Sequence, residues 1–299
     1  MAFNISRRSL LAGMPGLFAS RFLRTAQVGD VSARLQAIQT GLGGRLGVAA
    51  LDTGNNRRIN FHATARWPLC STFKFLLVGG VLARVDSGKE RLERAIAYSR
   101  SDLVGYAPIT RSNIAKGQMT VYELCQAAIC YSDNAAANLL FPIVGGPQGL
   151  TRYLRSLGDE TTNLNRIEPF LNESLPNDPR DTTSPLAMVF DMNRLLLRGA
   201  LSVKSRALLA HWLVGNTTGN ARLRAGLPSG WRVGDKTGTG HFGTSNDVAI
   251  VWPPRRKPLL IAAYITECAA SAPRRDKALA EVGHTIKAGL APDSSRSGF

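Results

Sequence analysis

The spacing of apolar residues changes its period twice along the chain, and the first stretch has the pattern of strands. Leu46–Asp52 and Arg58–His62 have strand-like composition, and the turn-forming run 53–56 between them predicts a hairpin. Val31 to Gly41 ends in glycines after a helical spacing, which predicts a helix before the hairpin. The fold is therefore expected to begin with a helix and two paired strands.

The middle and the end of the chain differ in their period. From Ser71 to about Leu213 the apolar residues recur at intervals of three and four, the period of a helix. This spacing is clearest in Phe73–Ala83, Val121–Ile129, Ala135–Phe141 and Leu186–Leu197. Strand-like segments then return, followed by one predicted helix: Arg232–Lys236, Asp247–Trp252 and Pro258–Thr266 are the strands and Asp276–Leu290 is the helix.

Strands at both ends with helices between them predict one antiparallel sheet, flanked by helices and built from both chain ends. The predicted fold class is α/β plus all-α, with a mostly helical domain inserted into an α/β domain. The α/β domain is placed at residues 27–67 and 214–299, and the helical domain at residues 68–213. Concave sites tend to lie where two such units meet, so a functional site is expected at their junction.

The first 26 residues have the features of an export signal. The paired Arg7 and Arg8 precede a short apolar stretch that runs to about Ala19, and no acid occurs before Asp30. Paired arginines at this place are similar to the twin-arginine signal of proteins that are exported in the folded state. The sequence therefore predicts export to the periplasm, with a cleavage site left open between Ala19 and Gln27.

The formal net charge is +16, of which residues 1–26 contribute +4. The basic residues are scattered instead of gathered into runs with interleaved aromatics, so nucleic acid is not predicted as a partner. A diffuse positive charge favours small anionic substrates. No apolar run reaches about eighteen residues, so no membrane insertion of the mature chain is predicted.

The cysteines and histidines show no metal-binding pattern. Cys70, Cys125, Cys130 and Cys268 match no zinc spacing, and the four histidines form no His-x-His or HExxH. Neither a metal nor another cofactor is therefore predicted. Export permits disulfides, but the sequence alone leaves the pairing of the cysteines open.

A single Ser-x-x-Lys occurs in the chain, at Ser71 and Lys74. If a helix begins at Ser71, a step of three residues puts the hydroxyl and the amine on one face. The amine can then activate the hydroxyl as a nucleophile, provided that its surroundings favour the neutral form. The helix N-terminus also directs N–H groups towards developing negative charge. A helix cap with a solvated lysine explains the same residues without catalysis.

Two polar segments offer further groups for acyl transfer and hydrolysis. Ser132 and Asn134, in Ser-Asp-Asn between two predicted helices, provide a hydroxyl for proton relay and an amide that can bind a substrate amide. Glu168 and Asn172 lie four residues apart in a long segment without periodicity and can hold one water for general-base hydrolysis. An ordinary turn and a flexible loop are the alternatives without function.

The run from Lys236 to Gly240, Lys-Thr-Gly-Thr-Gly, ends a strand-like segment. A cation beside hydroxyls suits a carboxylate on the substrate, and glycines let backbone N–H groups approach a ligand closely. A strand that ends in a glycine turn is again the alternative.

In this order, Ser-x-x-Lys, Ser-Asp-Asn and Lys-Thr-Gly resemble the superfamily of serine β-lactamases and penicillin-binding proteins, from about Val31 to Leu290. Glu-Pro-x-x-Asn at Glu168 to Asn172 further resembles the class A β-lactamase branch. The resemblance implies hydrolysis of the β-lactam amide bond of penicillins and cephalosporins through an acyl-enzyme on Ser71, with β-lactam resistance as the consequence. It also implies a monomer.

The resemblance assigns a role to each motif residue. Ser71 is the nucleophile, and either Lys74 or Glu168, through a water, takes its proton, which the sequence leaves open. Backbone N–H groups of Ser71 and Thr239 form the oxyanion hole, and Ser132 passes a proton to the leaving nitrogen. The remaining roles are in binding: Glu168 and Asn172 hold the deacylating water, Asn134 binds the side-chain amide of the drug, and Lys236, Thr237, Gly238 and Thr239 bind its carboxylate.

Four residues outside the motifs also match the family. Arg222 matches an extra cation near the substrate carboxylate, and Tyr106 matches an aromatic residue that walls the site. Arg166 and Asp181 are similar to the ion pair that closes the segment around Glu168. The Glu168–Pro169 peptide resembles one that the family holds in cis.

Two disulfides of relatives have no counterpart here. One would join Cys125 to position 78, which is Val78, and the other would join Cys70 to position 240, which is Gly240. Cys70 with Arg222 and Thr239 resembles members whose activity extends to carbapenems, although those members have the cysteine that Gly240 replaces.

Two rival functions remain. A D,D-peptidase or penicillin-binding protein would share the nucleophile and the lysines but would keep its acyl-enzyme, and Glu168 with Asn172 is the feature that separates the two. A non-catalytic envelope or cationic binding protein is favoured by the net charge alone.

Overall fold

The computed structural model describes residues 30–291 of the 299-residue chain. The predicted export signal, residues 1–26, lies outside the described residues. The first element is helix α1, residues 30–42, which confirms the helix predicted at Val31 to Gly41.

The chain then contains nine strands and eight further α-helices within residues 45–290. The long strands β1, β7, β8 and β9 lie toward the two ends of this range, and short strands and most of the helices lie between them. The strands are β1 (Arg45–Asp52), β2 (Arg58–Phe61), β3 (Trp67–Pro68), β4 (Ala95–Ala97), β5 (Gln118–Thr120), β6 (Thr182–Thr183), β7 (Arg232–Thr239), β8 (Ser245–Trp252) and β9 (Leu259–Thr266). The α-helices after α1 are α2 (Phe73–Asp86), α3 (Pro108–Ser112), α4 (Val121–Cys130), α5 (Asn134–Val144), α6 (Gly146–Leu157), α7 (Pro185–Leu196), α8 (Val203–Val214) and α9 (Ala272–Leu290).

Five strands form an antiparallel sheet in the spatial order β2-β1-β9-β8-β7. The predicted hairpin is confirmed, since β1 and β2 pair with Val48 opposite Phe61 and Leu51 opposite Arg58. Because β1 and β2 come from the start and β7 to β9 from the end, the sheet unites both parts of the chain. The predicted fold class is thereby confirmed.

Both faces of the sheet are buried, and alternate residues of each strand enter different cores. In β9, Leu259 and Ile261 pack with α1 and α9, whereas Leu260 and Ala262 pack with the helices of the middle of the chain. A strand covered on both faces has no polar side, which explains the nearly continuous apolar sequences of β1, β8 and β9. The sheet is therefore the layer between two hydrophobic cores.

Two predicted bounds near the site are corrected. Ser71 does not begin an α-helix, because Cys70–Thr72 form a single 3-10 turn and α2 begins at Phe73. β7 does not stop at Lys236 but continues to Thr239, because β8 pairs with it along its whole length. The Lys-Thr-Gly-Thr run is thus part of β7, the edge strand of the five-stranded sheet, and not the turn after it.

The four helices predicted in the middle of the chain are confirmed as α2, α4, α5 and α7, with ends displaced by a few residues. The chain also contains α6 and α8, which the spacing did not single out, and two small pairs of strands, β3 with β6 and β4 with β5. The closing helix α9 begins at Ala272, before the predicted start at Asp276. The domain boundaries at 67/68 and 213/214 stay predictions.

Candidate active site

The turn that carries Ser71 lies where β7 meets the start of α2. Ser71 is 8% exposed, and Thr72 closes the turn by donating from Oγ1 to the carbonyl oxygen of Leu69 at 2.6 Å. Cys70, directly before the serine, has a φ of +42°, in the left-handed region that L residues rarely adopt. Such strained backbone persists only where the surroundings hold it, so the serine is presented from a firmly fixed turn.

Lys74 is fully buried one helical turn after Ser71. Its Nζ donates to Ser71 Oγ at 2.9 Å and lies 3.0 Å from Glu168 Oε1. The same nitrogen donates to the carbonyl oxygen of Ser132 at 2.9 Å and to Asn134 Oδ1 at 2.6 Å. Burial lowers the pKa of Lys74, and the Glu168 carboxylate acts in the opposite direction. The amine is therefore able to exchange a proton with the serine.

Ser132 faces a second buried lysine. Lys236 Nζ donates to Ser132 Oγ at 2.9 Å and to its neighbour's carbonyl oxygen, that of Thr237, at 2.9 Å. Burial, reinforced by the charge of Lys74, holds the pKa of Lys236 well below its ordinary value. Ser132 has a φ of +57°, so this hydroxyl is also presented from a left-handed turn. The two serines and two lysines thus form one connected row.

Asp133, the middle residue of Ser-Asp-Asn, serves structure. It is fully buried, caps α5 by accepting from the Ala136 N–H at 2.9 Å, and accepts from the Ile109 and Thr110 N–H groups at 2.9 Å each. The backbone N–H of Asn134 donates in turn to the Tyr106 carbonyl oxygen at 2.9 Å. These bonds fix the segment that carries Tyr106, whose side chain is 60% exposed.

Residues 166–181, here called the Glu168 loop, close over the site. Arg166 forms an ion pair with Asp181, and Asp181 also accepts from the Arg166 backbone N–H at 3.0 Å. The side chain of Asn138 bonds Glu168 twice, accepting from its N–H at 3.0 Å and donating to its carbonyl oxygen at 2.9 Å. The Glu168–Pro169 peptide is cis. The loop is therefore anchored at its ends and at Glu168 itself.

Glu168 and Asn172 meet inside this loop, as their spacing predicted. Glu168 is 1% exposed, and Asn172 donates from Nδ2 to its Oε2. Ser71 Oγ lies 3.4 Å from the other carboxylate oxygen, Oε1. Within the described residues, the buried Oδ1 of Asn172 has no hydrogen-bond partner. A carboxylate and a free amide oxygen beside the nucleophile are suited to holding a water molecule.

The end of β7 lies directly against the turn of the nucleophile. A Cβ at Gly238 would lie 3.0 Å from the Leu69 carbonyl oxygen and 3.2 Å from Cys70 Cβ, so glycine lets the strand approach the turn more closely than a larger residue would. A cavity of about 250 Å³ opens between these segments. Its lining contains predicted site residues from every motif, together with Thr218, which was not predicted: Ser71, Tyr106, Ser132, Asn134, Asn172, Thr218, Arg222, Thr237 and Thr239.

Arg222 reaches the cavity from behind β7. Its guanidinium donates to the Gly238 carbonyl oxygen at 2.9 Å and to Thr239 Oγ1 at 2.9 Å, and it pairs with Asp276 at 2.8 Å. It is 9% exposed, so the arginine is not the solvated surface cation that would be its alternative interpretation. The cation therefore supports the end of the strand that lines the cavity.

Sequence reasoning missed several residues that shape the site. Thr218 lines the cavity with its Oγ1 2.6 Å from Thr237 Oγ1, and Asn138 clamps Glu168. Behind the strand, Asp235 accepts from Asn216 Nδ2 at 2.7 Å. None of these residues belongs to a short motif, and Thr218 lies nineteen positions from its partner. Only the position of Asn138, four residues after Asn134 on a helix, gave a usable signal.

All four cysteines are buried and free. The two family disulfides have no partner cysteines, because Val78 and Gly240 stand at those positions. A Cβ at Gly240 would lie 2.6 Å from Cys70 Sγ, so this position is directly beside the thiol. Within residues 30–291, no group of three or more His, Cys, Asp or Glu is arranged to hold a metal ion, and no helix has the length and apolarity of a membrane span.

Two buried serines, each bonded by a lysine amine, with a carboxylate beside the first pair and under a loop at the edge of a sheet, define a serine hydrolase of the acyl-transfer type. The family model described as the β-lactamase enzyme family matches residues 30–290. The chain belongs to this family, and its solved relatives place it in class A.

Curated relatives and solved structures agree with this assignment. The chain is 46% identical over 287 residues to β-lactamase Toho-1 of Escherichia coli, covering 95% of this chain and 98% of that protein. It is 43% identical to β-lactamase CTX-M-8 of Citrobacter amalonaticus, covering 94% of each chain. An ancestral class A β-lactamase superposes with a TM-score of 0.84 at 55% identity, covering 86% of this chain and 98% of that one. The putative class A β-lactamase PenP of Rhodopseudomonas palustris gives a TM-score of 0.85 at 52% identity, covering 87% of this chain and 100% of that one.

Proposed function

We propose that this protein hydrolyses the amide bond of penicillins and cephalosporins through an acyl-enzyme on Ser71, and that a water held by Glu168 and Asn172 releases the product. One observation carries the proposal. Lys74 Nζ lies 2.9 Å from Ser71 Oγ and 3.0 Å from Glu168 Oε1, so the nucleophile, an amine and a carboxylate form a single proton-transfer unit.

Acylation uses the row of serines and lysines. Ser71 Oγ attacks the lactam carbonyl carbon as its proton passes to Lys74, at 2.9 Å, or through a water to Glu168, and both routes fit the contacts. The C–N bond of the ring then breaks, and Ser132 hands a proton to the leaving nitrogen. Lys236, which donates to Ser132 Oγ, assists this transfer.

Binding orients the drug in the cavity. The backbone N–H groups of Ser71 and Thr239 provide the oxyanion hole, and one donor of such a hole is typically worth about 10²–10³ in rate. Lys236, Thr237, Gly238 and Thr239 bind the carboxylate, and Arg222 stabilises that end of the strand. Asn134 Oδ1 accepts from Lys74 Nζ, so the amide nitrogen of Asn134 stays available to donate to the side-chain carbonyl of the drug. Tyr106 lines the mouth of the cavity.

Deacylation needs a base close to the ester. Glu168 takes a proton from a water that Asn172 also holds, the hydroxide attacks the ester carbon, and the proton returns to Ser71 Oγ as the C–O bond breaks. The unpaired Oδ1 of Asn172 supports this role. A D,D-peptidase, the second candidate, is disfavoured because it lacks such a base beside its ester, whereas Glu168 lies within reach of the serine here.

A chromogenic cephalosporin tests the three functions together. Sustained turnover supports the β-lactamase, a stoichiometric burst supports the D,D-peptidase, and silence supports a binding protein. We expect Ser71→Ala to abolish turnover and Glu168→Ala to accumulate a covalent adduct visible by mass spectrometry, because deacylation loses its base whereas acylation can still use Lys74. Glu160→Ala, at a solvent-exposed acid, is the matched control. Wild-type hydrolysis by Ser71→Ala would refute the mechanism.

Export by the twin-arginine route is proposed from Arg7 and Arg8. Replacing both arginines with lysine should keep the enzyme in the cytoplasm and remove cellular resistance. Periplasmic activity unchanged by the double substitution would contradict this route. The protein is further proposed to act as a monomer, which light scattering of the mature chain would check.

A further inference from the structure

The residue before the nucleophile contacts the Glu168 loop directly. Cys70 Sγ lies 3.3 Å from Ser174 Oγ, and both side chains are buried. Ser174 Oγ also donates to the carbonyl oxygen of Asn172 at 3.2 Å. The turn of Ser71 is therefore linked, through one thiol and one hydroxyl, to the residue whose amide bonds the Glu168 carboxylate.

Both partners are held in unusual backbone conformations. Cys70 has a φ of +42° and Ser174 a φ of +53°, both in the left-handed region. The Asn172 carbonyl oxygen that Ser174 bonds also accepts from the N–H of His241 at 3.0 Å. Three chain segments therefore converge on this carbonyl: the nucleophile turn, the Glu168 loop and the chain just after β7.

The junction has no spare room. A Cβ at Gly240 would lie 2.5 Å from Ser174 Oγ and 2.6 Å from Cys70 Sγ. Burial raises the pKa of the Cys70 thiol to about 12, so the thiol stays protonated and acts as a hydrogen-bonding group, not as a nucleophile. The function of Cys70 must then come from the position in which its hydrogen bond keeps Ser174.

Other contacts also restrain this part of the loop. Arg166 pairs with both Asp181 and Glu173, Asn138 bonds Glu168, and Leu171 is buried in the core. On the outer side, Phe170 is 61% exposed and Leu175 is 41% exposed, so packing there restrains the segment weakly. The contact with Cys70 lies on the inner side, toward the serine.

We propose that Cys70 and Ser174 are positioning residues for deacylation. Their contact sets the distance between the Ser71 turn and Asn172, and so the place of the water relative to the ester. The inference rests on the proposed function, because it assigns the water to Glu168 and Asn172. It predicts a selective defect in release of the product, with formation of the acyl-enzyme unaffected.

Kinetics on four variants separate this role from a general loss of structure. We expect Ser174→Ala and Cys70→Ala each to lower kcat by about two- to tenfold, the range that one hydrogen bond supports. KM should fall in parallel, so that kcat/KM, which reports acylation, stays at the wild-type value. The double variant should be no slower than either single one, since both remove the same contact. Cys70→Ser, which keeps a hydrogen-bonding group, should restore kcat.

Ser156→Ala, at an exposed serine of α6, is the control and should match the wild type. Parallel losses in kcat and kcat/KM, or an unchanged kcat in both alanine variants, would overturn the proposal. If the wild type itself shows no sustained turnover, the proposed function fails instead, and the two failures are thereby distinguished.

A covalent test reads the geometry without any activity. In Ser174→Cys, two sulfurs would stand close enough for a disulfide, with oxidised glutathione accepting the two electrons and two protons. Incubation just below the unfolding midpoint gives the oxidant access. Peptide mapping should then find position 70 joined to position 174, reversibly with reductant, and no such link in Ser156→Cys. Absence of the link in Ser174→Cys would show that the side chains do not meet.

Discussion

At the scale of single residues, the two buried lysines differ in what surrounds them. Lys74 has the Glu168 carboxylate 3.0 Å away. Among residues 30–291, no carboxylate lies within ion-pair distance of Lys236, and burial together with Lys74 lowers its pKa strongly. A buried amine without a counter-ion gains most from an anionic ligand, which supports the proposal that Lys236 binds the carboxylate of the substrate.

This difference predicts how substrate binding depends on pH. As pH rises through the lowered pKa of Lys236, the amine loses its charge and KM for a penicillin should rise, by about tenfold or more when the charge is fully lost. The rise should begin at a lower pH than an ordinary lysine would give. Lys236→Arg keeps its charge at every accessible pH and should flatten the profile. Steady-state kinetics between pH 6 and 10 check this, and identical profiles for the two proteins would refute it.

The sequence predicted which polar groups meet at the site but not the residues that support them. Ser71, Lys74 and Glu168 are recognisable because their chemistry sits in short fixed patterns. Thr218 and Ser174 are single hydroxyl residues in unremarkable sequence, and their roles depend on partners 19 and 104 positions away. Such partners are set by the packing of whole elements, which local patterns do not encode.

At the scale of elements, Asp133 joins α5 to the segment that carries Tyr106. One carboxylate satisfies the Ala136 N–H at the start of the helix and two N–H groups at the start of α3. A charged acceptor suits all of these donors, because an ionised carboxylate accepts at both oxygens. The carboxylate that caps α5 therefore also fixes the segment at the mouth of the cavity.

We expect Asp133→Asn to destabilise the protein by about 3 kcal/mol, because the new NH₂ group would face backbone donors and leave one of them unpaired. KM should rise as well, since the Tyr106 segment loses its anchor. Urea unfolding and steady-state kinetics measure the two effects. Asp102→Asn, at an exposed carboxylate that caps a short 3-10 helix by accepting from the Ser99 N–H, provides the comparison outside the site. Equal stability of the two variants would contradict the anchoring role.

The elements themselves were predictable wherever one periodicity dominated. The apolar runs of β1, β8 and β9 and the helical spacing of α4 and α7 gave bounds close to those observed. The prediction failed at α6, where glycine and arginine interrupt the apolar pattern and only a few residues, such as Leu150 and Leu154, are buried. It also ended β7 too early, because glycines count against a strand unless pairing and close approach demand them.

At the scale of the whole molecule, the core contains carboxyl groups that stability alone would not favour. Asp191 on α7 is fully buried, and its carboxyl group lies beside that of Asp159. Burial, and then the neighbouring Asp159, raise the pKa of Asp191 well above its ordinary value. The carboxyl group therefore keeps its proton in the folded state under conditions where the unfolded chain releases it.

This proton makes the stability of the fold depend on pH. Below the unfolded pKa of about 3.9 both states are protonated, whereas above it only the unfolded state gains by ionising, so stability falls as pH rises toward the folded pKa. The slope is at most about 1.4 kcal/mol per pH unit. Asp191→Asn removes the ionisation, so its unfolding free energy in urea should fall less between pH 5 and 8 than that of the wild type.

The comparison must be one of slopes, because the asparagine amide adds a cost of burial that does not change with pH. Asp178→Asn is the matched control, since the Arg180 guanidinium lowers the pKa of Asp178 and its contribution is lost only as pH falls below the unfolded value. That variant should keep the wild-type slope between pH 5 and 8. If Asp191→Asn keeps the same slope too, Asp191 is ionised in the folded protein, and the core must hold a counter-charge for it.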